Sequence, residues 1–449
     1  MEKILNLKKL INNINNDNNL KWYTMYKLTN EYLNLNDIEQ AEEWVNKSYK
    51  LNDKRSENLH LLLKYFREIG NHKKALEYYN LGKDIKKPNK GLNIEENVYD
   101  DLFDYESTII WYYLFEDKLE GLKKSINYLN KSKTLHYENV FNNLEYYIKP
   151  LKNNFINFKE FKFNEMDGYF NSSSSLIRFD KDHFLMNIRY HNYYINPQGH
   201  YLSTEYTDGQ YIVRTKNQYV FLDNNYNVIS PQTKMPDDLT DLPRNSSRIK
   251  GLEDMRILKW NNKIYYSSAS PEYSNYFRII FGEYNIVNNS YNNNFIIKSP
   301  VESNCEKNWI PFIHHNKMHF VYNWSPLQIG EVNFLSKELQ LTYKFDTPSY
   351  FKKLRGSANP FKYKNYWYCL THSVKHTSPR KYWHQFVLLD RDTLKPKKFS
   401  LPFVFCKMNI EYCLSFNIEN DIITFVFSEF DKNTCLLSIS LNDLHLIDI

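Results

Sequence analysis

The pattern of hydrophobic and polar positions divides the chain into two parts with different periods. Residues 1 to about 150 have apolar positions at helical spacing and almost no strand signal. From about residue 160 the pattern changes to short alternating strands separated by Asn, Asp and Gly turns. The sequence therefore predicts an α-helical domain over residues 1–155 and a β domain over residues 160–449.

The helical part contains a short internal repeat. A turn residue, a small residue, a large apolar residue and a second small residue recur after 34 positions. They are Asn36, Ala41, Val45 and Ser48, then Gly70, Ala75, Tyr79 and Gly82. This spacing resembles that of tetratricopeptide repeats, whose paired helices approach closely at small residues. The resemblance implies binding of a peptide or protein partner, and the alternative is a helical support for the second domain.

The β part repeats a unit of about 50 residues. Hairpin turns are predicted at Asp182, Asn262, Asn316, Lys364 and Asn420, at intervals of 80, 54, 48 and 56 residues. The first interval is longer because it holds additional strand material and a long loop. One four-stranded propeller blade needs about 50 residues. Five such units predict a five-bladed β-propeller, ahead of a β-sandwich or two barrels.

One short polar motif precedes each turn by a nearly constant distance. The motif residues are Ser173, Asp254, Lys307, Arg355 and Glu411. Their gaps to the five turns are 9, 8, 9, 9 and 9 residues. A constant gap places each motif at the same position in its own blade, so a radial arrangement brings all five to one axis. The strand after each turn runs antiparallel to the strand before it and ends near the motif. Arg189 and His372, on these second strands, are therefore also expected at the axis.

The predicted funnel at this axis combines one or two carboxylates with several cations. Its expected members are Glu253, Asp254, Arg256, Lys307, Asn308, Arg355, His372 and Arg189. A carboxylic acid can protonate the leaving oxygen of a glycoside, while Arg, Lys and His hold an anion such as phosphate. No second carboxylate is firmly placed to activate water, which favours phosphorolysis, or transfer from a phosphate-linked donor, over hydrolysis. A sugar nucleotide or inorganic phosphate is then a co-substrate, and no cofactor or metal is expected.

Other functions stay open at this point. The residues around Asp254 would form a structural ion-pair cluster in a non-catalytic propeller that binds carbohydrate. A glycoside hydrolase requires a second carboxylate in the funnel, and Glu411 or Glu429 would supply it. A scaffold whose function lies in the helical repeats would tolerate substitutions in the funnel.

Composition narrows the classes of partner. The net charge is only +6, and acidic and basic residues are interspersed, so no basic stripe indicates nucleic-acid binding. The five cysteines form no C-x-x-C pair, and no apolar run of about 18 residues occurs. We therefore expect free thiols, a small-molecule sugar substrate, no membrane span and a cytoplasmic location.

The motifs of the β part resemble those of a known enzyme family. In chain order they are Gly-x-Glu-Asp-x-Arg at residues 251–256, Lys307-Asn308, Arg355-Gly356 and His372. They are similar to the β-mannoside phosphorylases of glycoside hydrolase family 130 and to the related β-1,2-mannosyltransferases. The resemblance implies a five-bladed propeller that inverts a mannoside or similar sugar by single displacement, with Asp254 as general acid. The residues that would hold phosphate, or the phosphates of the donor, are Arg256, Lys307, Arg355 and His372.

Two positions depart from the family pattern. Met255 stands where the usual proline follows the Glu-Asp pair, and Ser357 stands where a second glycine follows Arg355-Gly356. The first change leaves the acid undisturbed, whereas the second is expected to alter the backbone near the anion. The fused helical repeats favour a biosynthetic over a degradative role, by analogy only.

Overall fold

The computed structural model describes every residue from Met1 to Ile449. The chain divides into two compact units, Met1–Ile148 and Lys149–Ile449. The helices of the first unit are α1 (Glu2–Asn13), α2 (Asn18–Asn34), α3 (Ile38–Leu51), α4 (Glu57–Glu68), α5 (His72–Gly82), α6 (Phe103–Leu114), α7 (Leu119–Asn130) and α8 (Tyr137–Tyr147). None of them combines the length and the apolar character that crossing a bilayer requires.

Two helix pairs, α2–α3 and α4–α5, repeat the same local geometry. Their turns contain Asn36 and Gly70 in the left-handed region, with φ of 57° and 78°. The next residues in each turn, Asp37 and Asn71, accept hydrogen bonds from the first turn of α3 and α5. A Cβ at Gly82 would lie 2.3 Å from the Phe103 ring. The 34-residue pattern therefore marks turns and close helix contacts.

The second unit is built from strands. In chain order they are β1 (Asn157–Glu160), β2 (Phe170–Arg178), β3 (Phe184–His191), β4 (Tyr193–Ile195), β5 (Tyr201–Ser203), β6 (Glu205–Thr207), β7 (Gln210–Leu222), β8 (Thr233–Lys234), β9 (Ile249–Lys250), β10 (Glu253–Trp260), β11 (Lys263–Ser270), β12 (Arg278–Asn285), β13 (Ser290–Ile296), β14 (Ile310–His314), β15 (Lys317–Trp324), β16 (Leu327–Asn333), β17 (Glu338–Phe345), β18 (Arg355–Gly356), β19 (Phe361–Tyr363), β20 (Tyr366–Lys375), β21 (Lys381–Asp390), β22 (Pro396–Ser400), β23 (Glu411–Glu419), β24 (Ile422–Glu429), β25 (Lys432–Ser440) and β26 (Leu446–Asp448).

These strands form five main sheets, which we call blades 1 to 5. Blade 1 is β2-β3-β7 with short strands on β7, blade 2 is β10-β11-β12-β13, and blade 3 is β14-β15-β16-β17. Blade 4 is β18 and β19 on β20, followed by β21, β22 and β26, and blade 5 is β23-β24-β25-β1. The inner strand β2 contacts both β10 and β23, and the other blades contact their neighbours in turn. The ring is closed, so the predicted five-bladed β-propeller is confirmed.

Blade 5 takes its outer strand from the start of the unit. β1 pairs antiparallel with β25, from Asn157 opposite Ser438 to Glu160 opposite Cys435. Backbone hydrogen bonds therefore join the two ends of the propeller sequence. The repeat of turns does not predict this closure, because β1 lies before the first turn.

The five predicted turns are the hairpins between the first and second strands of the blades. Three of them have two consecutive residues with positive φ: Asn261-Asn262, His315-Asn316 and Asn420-Asp421. This is the geometry of a type I′ turn, whose twist matches that of the flanking strands and which asparagine tolerates. The left-handed positions of these turns therefore explain why asparagine recurs in them.

Each pair of neighbouring blades encloses its own apolar layer. Examples, taken around the ring, are Leu185 with Tyr266, Phe281 with Phe320, Phe312 with Trp367, Phe386 with Phe416, and Leu436 with Val220. The apolar side chains pack between neighbouring blades. The polar motif residues are therefore left to face the central axis.

Candidate active site

A cavity of about 440 Å³ lies where the motif ends of the inner strands converge. Seven of the eight residues predicted for the funnel line it: Arg189, Glu253, Asp254, Lys307, Asn308, Arg355 and His372. Further wall residues are Tyr193, Tyr201, Tyr211, Phe277, Arg380, Tyr382, Tyr412 and Asp431. The cavity therefore combines three carboxylates, four Arg or Lys side chains and five tyrosines.

A β-bulge turns two adjacent carboxylates of blade 2 toward the cavity. Glu253 is opposite Ala269 and Arg256 is opposite Ser267, so β10 contains one additional residue. Asp254 lies within this bulge with φ of 50°, a conformation that Asp adopts more readily than most residues. Neighbouring side chains of a regular strand point to opposite faces. The bulge explains how Glu253 and Asp254 both reach the cavity.

Two motif glycines allow neighbouring blades to approach closely around the cavity. A Cβ on Gly251, whose φ is 86°, would lie 2.1 Å from the carbonyl oxygen of Thr215 in blade 1. A Cβ on Gly356 would lie 2.3 Å from the carbonyl oxygen of Asn308, next to blade 3. Only glycine fits these two positions without displacing backbone.

The carboxylates of blade 2 are held by two cations. Arg189 Nη1 lies 2.6 Å from Asp254 Oδ1, and Arg189 Nη2 lies 3.7 Å from Glu253 Oε1. Lys307 Nζ lies 3.1 Å from Glu253 Oε2 and 3.3 Å from the centre of the Phe277 ring. Asp254 Oδ2 forms no hydrogen bond within the protein, which leaves that oxygen available to a ligand.

Arg256 lies beneath the cavity, which differs from its predicted place in the wall. Its Nε donates to the carbonyl oxygen of Ser357 at 2.8 Å, and Nη1 donates to that of Asp254 at 3.0 Å. Its Nη2 donates to Tyr412 Oη at 3.0 Å, and this hydroxyl donates to Asn308 Oδ1 at 3.0 Å. Arg256 is buried and joins blades 2, 4 and 5 instead of facing a ligand.

The two departures from the family pattern have structural explanations. Ser357 is buried, and its hydroxyl donates to the carbonyl oxygen of Cys413 at 2.6 Å, which joins blades 4 and 5. The side chain does not line the cavity. Met255 is buried in the apolar layer between blades 1 and 2. Neither Met255 nor Ser357 adds a side chain to the cavity wall.

His372 and Arg355 lie opposite each other in the register of blade 4 but differ in charge. Burial lowers the pKa of His372 well below its usual value, and His384, Arg355 and Arg256 lower it further. His372 is therefore neutral at pH 7. Arg355 is exposed and forms no ion pair. Of these two opposed residues, Arg355 contributes a positive charge to the wall and His372 contributes a neutral ring.

Two of the five motif residues, Ser173 and Glu411, do not line the cavity. Ser173 is buried and its hydroxyl lies 3.0 Å from that of Ser428. The Glu411 carboxylate accepts hydrogen bonds at 2.6, 2.8 and 2.9 Å from the backbone N–H groups of Phe405, Cys406 and Lys407. Glu429 lies 2.5 Å from Lys407 Nζ. Neither glutamate lines the cavity, so neither supplies the second carboxylate of the hydrolase alternative.

The segments between the second and third strands of the blades add wall residues that the motif spacing does not predict. These segments place Tyr193, Tyr201, Phe277, Arg380 and Asp431 in the cavity wall. The predicted wall residues Arg189 and His372 lie 7 and 8 residues past their turns at Asp182 and Lys364. Asp431 lies 11 residues past Asn420, and Arg380 lies 16 residues past Lys364. Following the second strand of each blade to its end is the signal that would have found them.

Asp431 is the third carboxylate of the cavity. Its Oδ2 accepts a hydrogen bond from Tyr193 Oη at 3.0 Å. Burial raises the pKa of Asp431 above its usual value; Arg189 and Tyr193 oppose this effect, whereas Asp254 and Glu253 add to it. The cavity therefore holds one aspartate paired with an arginine and another whose pKa is raised by burial.

No family model and no curated protein matches the chain. Several solved structures are similar to it. A β-1,2-mannobiose phosphorylase from Listeria innocua is 11% identical with a TM-score of 0.44, covering 64% of this chain and 98% of that one. A GDP-Man-dependent mannosyltransferase from Leishmania mexicana is 9% identical with a TM-score of 0.40, covering 63% and 89%. A family 117 glycoside hydrolase from Zobellia galactanivorans is 10% identical with a TM-score of 0.37, covering 64% and 91%.

Glu411→Gln is expected to destabilise the propeller by about 1–3 kcal/mol, because the amide nitrogen would face the N–H of Phe405 and leave a buried donor unpaired. Urea unfolding at pH 7 measures this change. Glu429→Gln is the matched control, since Glu429 is only half-buried, and it should cost less than about 1 kcal/mol. Equal stability of the two variants would contradict the structural role of Glu411.

Proposed function

We propose that the chain is a carbohydrate-active enzyme, either a glycosyltransferase or an inverting glycoside phosphorylase. The observation that carries the proposal is one cavity with two free groups: the Oδ2 oxygen of Asp254 and the unpaired guanidinium of Arg355. Glycosyl transfer to or from a phosphate-linked sugar needs a carboxyl group at the glycosidic oxygen and a cation at the phosphate. The cavity volume is within the range of small-molecule sites.

Arg189 holds one carboxyl oxygen of Asp254, Oδ1, and leaves Oδ2 free to face the acceptor hydroxyl. This geometry suits Asp254 as the proton acceptor in the synthetic direction. In a single displacement, the acceptor hydroxyl attacks the anomeric carbon, its proton passes to Asp254, and the phosphate group leaves toward Arg355. The reverse reaction uses the protonated Asp254 as general acid, so one residue serves both directions.

The cavity wall also suits a sugar ring. Tyr193, Tyr201, Tyr211, Tyr382 and Tyr412 contribute rings, and Asn308 and Asp431 contribute polar groups. Aromatic faces pack against the C–H faces of a sugar while polar groups hold its hydroxyls. The preference for mannose-like sugars is proposed from the resemblance of the motifs at residues 251–256 and 307–308.

A glycoside hydrolase is the second candidate, and Asp431 is the observation that favours it. Inverting hydrolysis requires one protonated and one ionised carboxyl group. The raised pKa of Asp431 and the ion pair of Asp254 fit these two forms. In this alternative Asp431 is the acid and Asp254 activates water.

For the helices of Met1–Ile148 we propose a tetratricopeptide-like unit that binds a peptide or protein partner. The repeated turns at Asn36 and Gly70 and the small residues of the 34-residue pattern support this proposal. We also propose a cytoplasmic location, which the five unpaired cysteines support.

A screen of sugar nucleotides and sugar 1-phosphates with mannose-like acceptors tests the proposed reaction. Release of nucleotide or phosphate that depends on the acceptor is the expected result. Cleavage of a glycoside in phosphate-free buffer would instead support the hydrolase. Sugar binding without turnover under any of these conditions would favour the non-catalytic propeller.

A further inference from the structure

Two arginines of blade 4 are the only arginine or lysine side chains of the cavity wall without a carboxylate partner. Arg189 pairs with Asp254, and Lys307 pairs with Glu253. Arg355, at the start of β18, and Arg380, just before β21, are exposed and form no ion pair. Unpaired cations in a concave wall attract anions, because the surrounding protein screens them less than bulk water does.

The two guanidinium groups line the same cavity and act on the same neighbour. His376, in the loop between β20 and β21, has a pKa below its usual value through burial first, and then through Arg355 and Arg380. No Asp or Glu side chain forms an ion pair with either arginine. The wall of blade 4 therefore carries two positive charges that no ion pair neutralises.

Arg380 is held in place by a second loop. Its guanidinium lies 5.8 Å from the centre of the Tyr201 ring, which belongs to β5, between β3 and β7 of blade 1. The two loops are in tight contact, since a Cβ on Gly199 would lie 2.6 Å from the Cα of Pro379. A cation fixed in this way loses little conformational entropy when it binds an anion.

We propose that Arg355 and Arg380 form two adjacent phosphoryl subsites that bind the diphosphate of a nucleoside diphosphate sugar. This inference rests on the proposed function and specifies the donor class. Orthophosphate, or a sugar 1-phosphate, occupies the Arg355 subsite alone. A diphosphate also reaches Arg380, which lies beside the Tyr201 ring in the same wall. The chain is then a transferase that uses a diphosphate-linked donor, rather than a phosphorylase.

Isothermal titration calorimetry with orthophosphate and pyrophosphate tests the two subsites on the full chain. One charge-assisted contact corresponds to about a tenfold change in affinity. We expect Arg380→Gln to weaken pyrophosphate binding about tenfold and to leave orthophosphate binding within about threefold. Arg355→Gln should weaken both ligands. Arg391→Gln is the matched control, because Arg391 is exposed on blade 4 outside this cavity, and it should change neither affinity.

Pyrophosphate carries more charge than orthophosphate, so the two affinities for the wild-type chain are expected to differ for that reason alone. The change in affinity that each substitution causes is therefore the test of the second subsite. Equal effects of Arg380→Gln and Arg391→Gln on pyrophosphate would overturn the second subsite. If Arg355→Gln still abolished orthophosphate binding in that case, the proposed function would stand with a single phosphoryl site. If neither anion bound the wild-type chain, both the subsite and the phosphate-linked reaction would be rejected.

Discussion

Asp254→Asn is expected to reduce turnover by about 10²–10⁴-fold while sugar binding stays within about threefold. The carboxyl group of Asp254 is the proton carrier in the proposed displacement, and an amide cannot exchange a proton with the acceptor. The substitution keeps the shape of the side chain and an Oδ1 acceptor for Arg189 Nη1. Initial rates with the donor found by the screen, together with calorimetry for the sugar, measure the two quantities separately.

Two further variants make this result specific. Asp182→Asn, in the exposed first turn of blade 1, controls for the loss of a negative charge and should keep full turnover. Asp431→Asn separates the candidate reactions. In the hydrolase it removes the acid and should act as strongly as Asp254→Asn, whereas in the transferase it leaves the proton carrier in place. Full activity of Asp254→Asn would reject Asp254 as the carrier in both.

The propeller was predictable because its turns are local. A type I′ turn selects asparagine regardless of distant contacts, so Asn262, Asn316 and Asn420 mark the blades in the sequence itself. Because side chains alternate along a strand, the distance from each turn predicts which residues reach the cavity. Asp254 and Lys307 are predicted there in this way. The closing strand Asn157–Glu160 has no such signal, because its pairing with β25 spans nearly the whole unit.

The errors at the site arise where regular alternation ends. The bulge at Asp254 adds one residue to β10. After the bulge, each side chain therefore faces the opposite side of the strand from the one that regular alternation predicts, and Arg256 does not line the cavity. Arg380 and Asp431 lie on loops that differ in length from blade to blade, and no repeat marks them. Motif spacing thus predicted the residues on the inner strands, but it did not predict the loops that complete the wall.

The propeller is expected to lose about 4 kcal/mol of stability between pH 7 and pH 5 through two buried histidines. Burial lowers the pKa of both His191 and His384 to about 3. When the pKa of a histidine is lower in the folded state than in the unfolded state, its contribution to stability is fully present at a pH above the unfolded pKa of about 6.5. This contribution is lost as the pH falls below about 6.5. At pH 5 the unfolded chain binds both protons and the folded chain binds neither. The loss is a large share of the typical 5–15 kcal/mol stability of a domain.

His384→Leu tests this effect at one residue. Both ring nitrogens of His384 lack a hydrogen-bond partner, and the ring packs against Phe403 and Phe405. Leucine should therefore be tolerated, and it should reduce the pH-dependent loss by about 2 kcal/mol. Urea unfolding at pH 7 and pH 5 measures the difference, and His445→Leu, at an exposed histidine, is the control.

The pH dependence of stability must be compared between variants, because a buried carboxyl group changes the stability in the opposite direction from the histidines. Burial raises the pKa of Glu411 to about 7, so its contribution is present below the unfolded value of about 4.5 and is lost as the pH rises through 7. This partly offsets the histidines in the wild-type chain. In His384→Leu the Glu411 contribution is unchanged, so the difference from wild type isolates one histidine. If both histidine variants showed the wild-type loss, His384 would not titrate on unfolding and the assignment would be rejected.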